Sequence, residues 1–160
     1  MEANGIIQKS HSPWAAPLLI VPKKGDGEEF SPRAVIDYRW VNELLLKDGY
    51  PMPRTDDILA QMSGNPRFFS ILDLFSGFHQ VKMTKTATER SAFVTPFGQW
   101  EYLRMPFGLS NAPTSFQKMM QDILADLIGK VCFVFVDDIS IYTSTFEEHL
   151  QVLEEIFKRL

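Results

Sequence analysis

The stretch from 131 to 142 constrains this chain most. Two apolar runs rich in β-branched and aromatic residues, 131–136 and 139–142, are separated by Asp137 and Asp138. The pair is predicted to form a β-hairpin with the two acids at its tip. No other charge of either sign lies between residues 131 and 143, so the two carboxylates repel each other unless a cation binds. The ordinary alternative is an exposed Asp-Asp turn, because Asp is common in turns. A third acid favours the cation. Asp73 interrupts the apolar run 68–74, read as a buried strand, and a purely structural explanation of it needs a basic partner. Laid beside the hairpin, that strand brings three carboxylates together. Hard oxygen donors in that number suit Mg²⁺, and two such ions about 3.5–4 Å apart form the clamp used for in-line phosphoryl transfer.

A length of 160 residues predicts one domain with one core. Hydrophobic residues at 45% and thirteen Phe exclude a disordered chain. The apolar runs are far shorter than the roughly 20 residues of a membrane helix, and no signal-peptide segment opens the chain, so a soluble protein without a visible address is expected. Cys132, alone in an apolar run, reads as a small buried hydrophobe. The net charge of −4 argues against a surface that grips nucleic acid everywhere. The deficit lies wholly beyond residue 54, where the three acids sit, and a bound cation reverses the local sign there.

The remaining elements follow from local signals. Residues 14–21 read as a strand interrupted by Pro17, 23–27 as a glycine turn, and 33–38 as the returning strand. Residues 50–53 are extended, because each residue before a proline is pushed out of the helical region. A helix is expected from the Thr55 cap to Gly64. Residues 91–95 and 100–103 form a pair joined at 96–98. The longest helix begins at Ser110 or Asn111, carries Phe116, Met119, Met120, Ile123, Leu124 and Leu127 on one stripe, and closes at Gly129. Gln117 is placed off that stripe, facing solvent. A last helix starts at Thr145 with Glu148 completing a capping box, and its stripe of Leu150, Leu153, Ile156, Phe157 and Leu160 predicts that the natural domain continues. No two histidines have ligand spacing, so zinc is not expected.

Together these residues resemble a known family. Ser12-Pro13-Trp14-Ala15-Ala16-Pro17, Lys23-Lys24-Gly25-Asp26-Gly27, Asp37-Tyr38-Arg39 with Asn42, Tyr50-Pro51-Met52-Pro53, Leu72-Asp73-Leu74-Phe75-Ser76-Gly77-Phe78-His79-Gln80, Met105-Pro106-Phe107-Gly108-Leu109-Ser110-Asn111-Ala112-Pro113 and Phe135-Val136-Asp137-Asp138 occur in order over nearly the whole chain. They resemble the reverse transcriptase of gypsy-like LTR retrotransposons and, more distantly, retroviral polymerases. The resemblance implies an α+β fingers-and-palm fold with an antiparallel palm sheet packed on helices and the thumb absent. Residues 1–160 are then a single domain, fingers-like at about 1–55 and 83–110 and palm-like at about 56–82 and 111–160, truncated before the primer grip.

The resemblance also implies roles. Asp73, Asp137 and Asp138 are the catalytic and metal-holding residues for two Mg²⁺ ions, with Mn²⁺ as the alternative. Arg33 contacts the incoming triphosphate, as do Lys23 or Lys24. Phe78 packs under the nucleotide sugar and excludes a 2′-hydroxyl, and Phe107 packs beside the nucleotide. The implied function is RNA-directed DNA polymerisation. Its partners are an RNA or DNA template with primer, dNTP, and the thumb, RNase H and integrase regions of a parental polyprotein, in an intracellular, cytoplasmic particle with no membrane. Phe135 keeps the ring but loses the hydroxyl of the tyrosine usual there, and Trp40 replaces a common lysine. The competing functional readings are an inactive remnant or host-adopted binding module, and a palm-type nucleotide cyclase.

Overall fold

The computed structural model describes residues 1–22, 32–54 and 65–160. The glycine turn expected at 23–27, with Lys23 and Lys24, and the helix expected from Thr55 to Gly64 lie outside the described residues. The chain forms two compact units, 1–47 with 78–112 and 48–77 with 113–160, where the chain length had suggested one core.

The first unit is built on a five-stranded sheet in the order β1-β6-β5-β2-β3. Its strands are β1 (Ile7–Lys9), β2 (Ala16–Pro22), β3 (Pro32–Ile36), β5 (Phe93–Thr95) and β6 (Gly98–Tyr102). All pairings are antiparallel except β2 with β5. Pro17 does not interrupt β2 as expected. The parallel pairing to β5 covers only Ala16 and Pro17, the ladder to β3 begins at Leu18, and the Pro17 carbonyl accepts the Asp37 N–H at 2.9 Å, so the missing proline donor leaves no gap.

Strand β3 stops at Ile36, two residues before its predicted end. The cause is Asp37, whose Oδ1 accepts the Arg39 N–H at 3.1 Å and turns the chain into helix α1 (Arg39–Leu44). Helix α2 (Gly77–Gln80) begins at the unit boundary, and α3 (Lys85–Arg90) is capped by Thr84, whose Oγ1 accepts the Ala87 N–H. Ala16, Ile36, Tyr38, Val41, Phe93 and Tyr102 form the buried core of this unit.

The second unit holds an antiparallel three-stranded sheet in the order β4-β8-β7, from β4 (Phe68–Asp73), β7 (Cys132–Phe135) and β8 (Asp138–Thr143), with helices α4 (Ala112–Ile123) and α5 (Phe146–Arg159). Cys132, Val134, Ile139 and Ile141 are buried, and the register puts them on one face of the sheet. Side chains of both helices reach that sheet: Gln117 bonds Val134, and His149 bonds Ser70 and Thr143.

The expectation of a buried strand at 68–74 is corrected. As the edge strand β4 leaves Phe69 at 60% and Ile71 at 73% exposure, on the face that also carries Asp73. Helix α4 is shorter than its apolar stripe, because the chain turns at 124–127 and reverses at Gly129, whose φ is 78°.

Helix α5 starts as predicted: the Thr145 hydroxyl accepts the Glu148 N–H at 3.2 Å. The returning bond goes to Ser144 N–H rather than to Thr145. Its stripe is rotated, however. His149 and Ile156 are buried while Leu150, Phe157 and Leu160 are exposed. The reason is polar: His149 Nε2 meets Ser70 Oγ at 2.8 Å and its Nδ1 meets Thr143 Oγ1 at 2.9 Å, which fixes that helix face on β4 and β8.

Candidate active site

The site is assembled where β4, β7 and β8 end together. Asp73, the last residue of β4, is the direct cross-strand partner of Asp138, the first residue of β8, and Asp138 is in turn the partner of Phe135. Partners in an antiparallel ladder point to the same face with Cβ atoms about 4.5–5.5 Å apart. Two carboxylates are therefore held side by side on one face of the sheet, which also carries the exposed Phe135, Ile71 and Phe69 and the buried Phe133 and Tyr142.

The hairpin tip differs from the one expected. Strand β7 ends at Phe135 and β8 begins at Asp138, so the two-residue turn is Val136-Asp137 and Asp138 belongs to the ladder. Val136 has φ 55°, an uncommon conformation that is costly for a β-branched side chain. Positive φ at the first turn position is what a tight hairpin with right-handed strand twist requires. The turn is tied on two sides: Val136 N–H donates to Gln117 Oε1 at 2.7 Å, and the Asp137 carbonyl accepts the Leu74 N–H at 3.1 Å. Asp137 thereby sits beside the end of β4, immediately after Asp73.

The chain leaves β4 through Ser76, also at positive φ (50°), into Gly77. A Cβ on Gly77 would stand 3.0 Å from Phe116 Cζ and 3.4 Å from Asp137 Cβ, so glycine lets the chain pass close to the turn without crowding Phe116.

Among the described residues no lysine, arginine or side-chain donor pairs with Asp73, Asp137 or Asp138. Nor, among the described residues, do they form a group of three side chains close enough together to hold a metal ion. Three neighbouring acids without a basic partner repel one another, and a hard divalent cation would offset that repulsion. Asp37 shows the opposite case: the Arg39 guanidinium grips its carboxylate and holds its pKa down to about 2.

The other predicted residues lie in the first unit. Arg33 is exposed on β3, opposite Val21. Phe78 on α2 is buried and its ring stands 5.0 Å from that of the half-exposed Phe107, which meets His79 at 5.2 Å edge-on. The loop bearing Phe107 is clamped by Asn42, whose amide donates to the Gly108 carbonyl at 2.9 Å and accepts the Ser110 N–H at 2.8 Å.

Sequence reasoning missed Gln117. It was placed toward solvent, yet it is 0% exposed. The buried arc of α4 runs through Phe116, Gln117, Met120 and Leu124, so Gln117 falls at i, i+3, i+7 with the last two. A stripe drawn from apolar residues alone could not include it.

A model of the reverse transcriptase (RNA-dependent DNA polymerase) family matches residues 21–160. The retrovirus-related Pol polyprotein of transposon 297 of Drosophila melanogaster is 44% identical over 158 residues, covering 98% of this chain and 15% of that polyprotein. The corresponding polyprotein of transposon gypsy of Drosophila melanogaster is 40% identical over 159 residues, again 98% and 15%. Among solved structures, the foamy viral protease-reverse transcriptase in complex with RNA/DNA hybrid superposes with a TM-score of 0.84 at 33% identity, over 98% of this chain and 20% of that one. The dsDNA complex of its dRH form gives 0.85 at 32%, over 99% and 27%. The chain spans about 15% of the length of the curated relatives it matches. With its fold, its carboxylate ladder and its sequence all in agreement, the chain belongs to the reverse transcriptase family.

Proposed function

We propose that this chain is the fingers and palm part of an RNA-directed DNA polymerase from a retroelement polyprotein, joining a deoxynucleotide to a primer 3′-hydroxyl on an RNA or DNA template. The observation that carries the proposal is the register of Asp73 on Asp138 with Asp137 in the adjoining turn. Asp73, Asp137 and Asp138 would hold two divalent cations, Mg²⁺ or Mn²⁺, which lower the pKa of the attacking hydroxyl and neutralise the triphosphate and leaving pyrophosphate. The protein's own part is positional. The ladder aligns two carboxylates and the turn presents the third.

Arg33 is assigned to the triphosphate, a role suited to its forked donors and exposed position; Lys23 and Lys24 are assigned to the same phosphates. Phe78, backed by Phe107, is assigned to the sugar, which predicts steric rejection of ribonucleotides. The related foamy virus enzyme in complex with RNA/DNA hybrid and with dsDNA supports a nucleic-acid duplex as partner. The relatives are Pol polyproteins, which supports a longer parental polyprotein; thumb, RNase H and integrase regions as its other parts and a cytoplasmic particle as its setting are assigned as part of the proposal.

Primer extension with Mg²⁺ on an RNA template tests the proposal. Template-dependent elongation that falls roughly 10³-fold in Asp137→Ala, the several kcal/mol expected of a metal ligand, supports it. RNA binding without any elongation supports instead the idle binding module, and triphosphate consumption without template the cyclase.

A further inference from the structure

Gln117 is fully buried, and both ends of its amide are spent on the backbone of the active-site hairpin. Its Nε2 donates to the Val134 carbonyl at 3.0 Å and its Oε1 accepts the Val136 N–H at 2.7 Å. Val136 is the residue held at positive φ, and Asp137 follows it. On the other side, the Asp137 carbonyl accepts the N–H of Leu74, one residue after Asp73.

A valine left to itself relaxes out of the left-handed region. If the turn relaxes, the hairpin reaches a different twist, and the Asp137 carboxylate swings away from the Asp73–Asp138 pair. We propose that Gln117 is a positioning residue: its amide locks the Val136 turn and so sets where Asp137 stands relative to the other two acids. A glutamine is suited to this because one planar group offers a donor and an acceptor at a fixed separation, matching a carbonyl and an N–H two residues apart. A buried amide this close to a metal-ligating turn acts on the cation through the ligand it orients. The proposal rests on the metal-holding reading of the three aspartates.

The test compares the wild-type chain with Gln117→Met, which keeps the volume and removes both hydrogen bonds. Hydrogen–deuterium exchange of the cation-free chain should show the Val136 and Leu74 amides losing protection while the remaining sheet amides keep theirs. Mn²⁺ affinity should fall about tenfold or more. Val136→Gly in the Gln117→Met background should recover most of that affinity, because glycine holds positive φ unaided; a role in packing alone predicts no recovery. Should Gln117→Met not fold, Gln117→Glu decides, since a carboxyl buried against the Val134 carbonyl is held protonated, keeps both donor and acceptor, and should keep Val136 protected. Unchanged exchange at Val136 in Gln117→Met, or its loss in Gln117→Glu, overturns the proposal. A wild-type chain that takes up no Mn²⁺ refutes the metal reading, and the exchange data then judge the lock by themselves.

Discussion

Asp73 and Asp138 face each other across the β4–β8 ladder, so the fold places like charges at the one spacing where cross-strand repulsion is greatest. Such a pair costs stability, and a fold retains it where the charge is used.

Asp73→Asn is therefore expected to stabilise the cation-free chain by about 0.2–1 kcal/mol. Millimolar Mg²⁺ should raise the wild-type Tm and cancel that advantage, since a cation bound only to the folded state adds its own stabilisation. Thermal denaturation of both chains with and without Mg²⁺ checks the crossover. A variant less stable than wild type without the cation contradicts it.

Gly77→Ala puts a methyl group 3.0 Å from the Phe116 ring and 3.4 Å from Asp137 Cβ. Phe116 is completely buried, and a loss of about 1–3 kcal/mol is expected from overpacking. Denaturant unfolding measures it, and Gly49→Ala, whose Cβ meets nothing within 4 Å, is the control expected to change little.

The Asn42 clamp gives a prediction in the first unit. Asn42→Ala removes both hydrogen bonds to the Gly108–Ser110 loop, and each is worth about 0.5–1.5 kcal/mol. The expected result is a loss of about 1–3 kcal/mol in denaturant unfolding, with faster amide exchange at Ser110. Retained protection there contradicts the clamp.

Much of this architecture was legible beforehand, and the failures share a cause. The hairpin, the Thr145 cap and the long amphipathic helix announced themselves through apolar spacing and capping residues. Gln117 was misplaced and His149 was given no place because both are polar residues buried by specific partners, Val134 and Val136 for one and Ser70 and Thr143 for the other. No apolar pattern reveals a partner on another element. The exposure of Phe69 and Ile71 was equally hidden, since an edge strand with one open face has the same composition as a buried one. Helix α1 escaped because its start depends on one side chain, Asp37, catching an N–H two residues on.

That contact also titrates. Arg39 holds the Asp37 carboxyl at about 2, below its ordinary 3.8. The folded-state value is depressed, so the stabilisation is complete above pH 4 and disappears as pH falls through about 2. Carboxyl NMR of Asp37 should show a midpoint near 2 that rises toward 3.8 in Arg39→Gln; a midpoint unmoved by that substitution contradicts the assignment.

The central claim is that Asp73, Asp137 and Asp138 act as one cation site, and Mn²⁺ titration followed by electron paramagnetic resonance tests it most directly. Saturable uptake by the wild-type chain, competed by Mg²⁺ and lost in Asp73→Asn/Asp137→Asn, is the predicted result. Equal uptake by both chains, or none by the wild type, contradicts it.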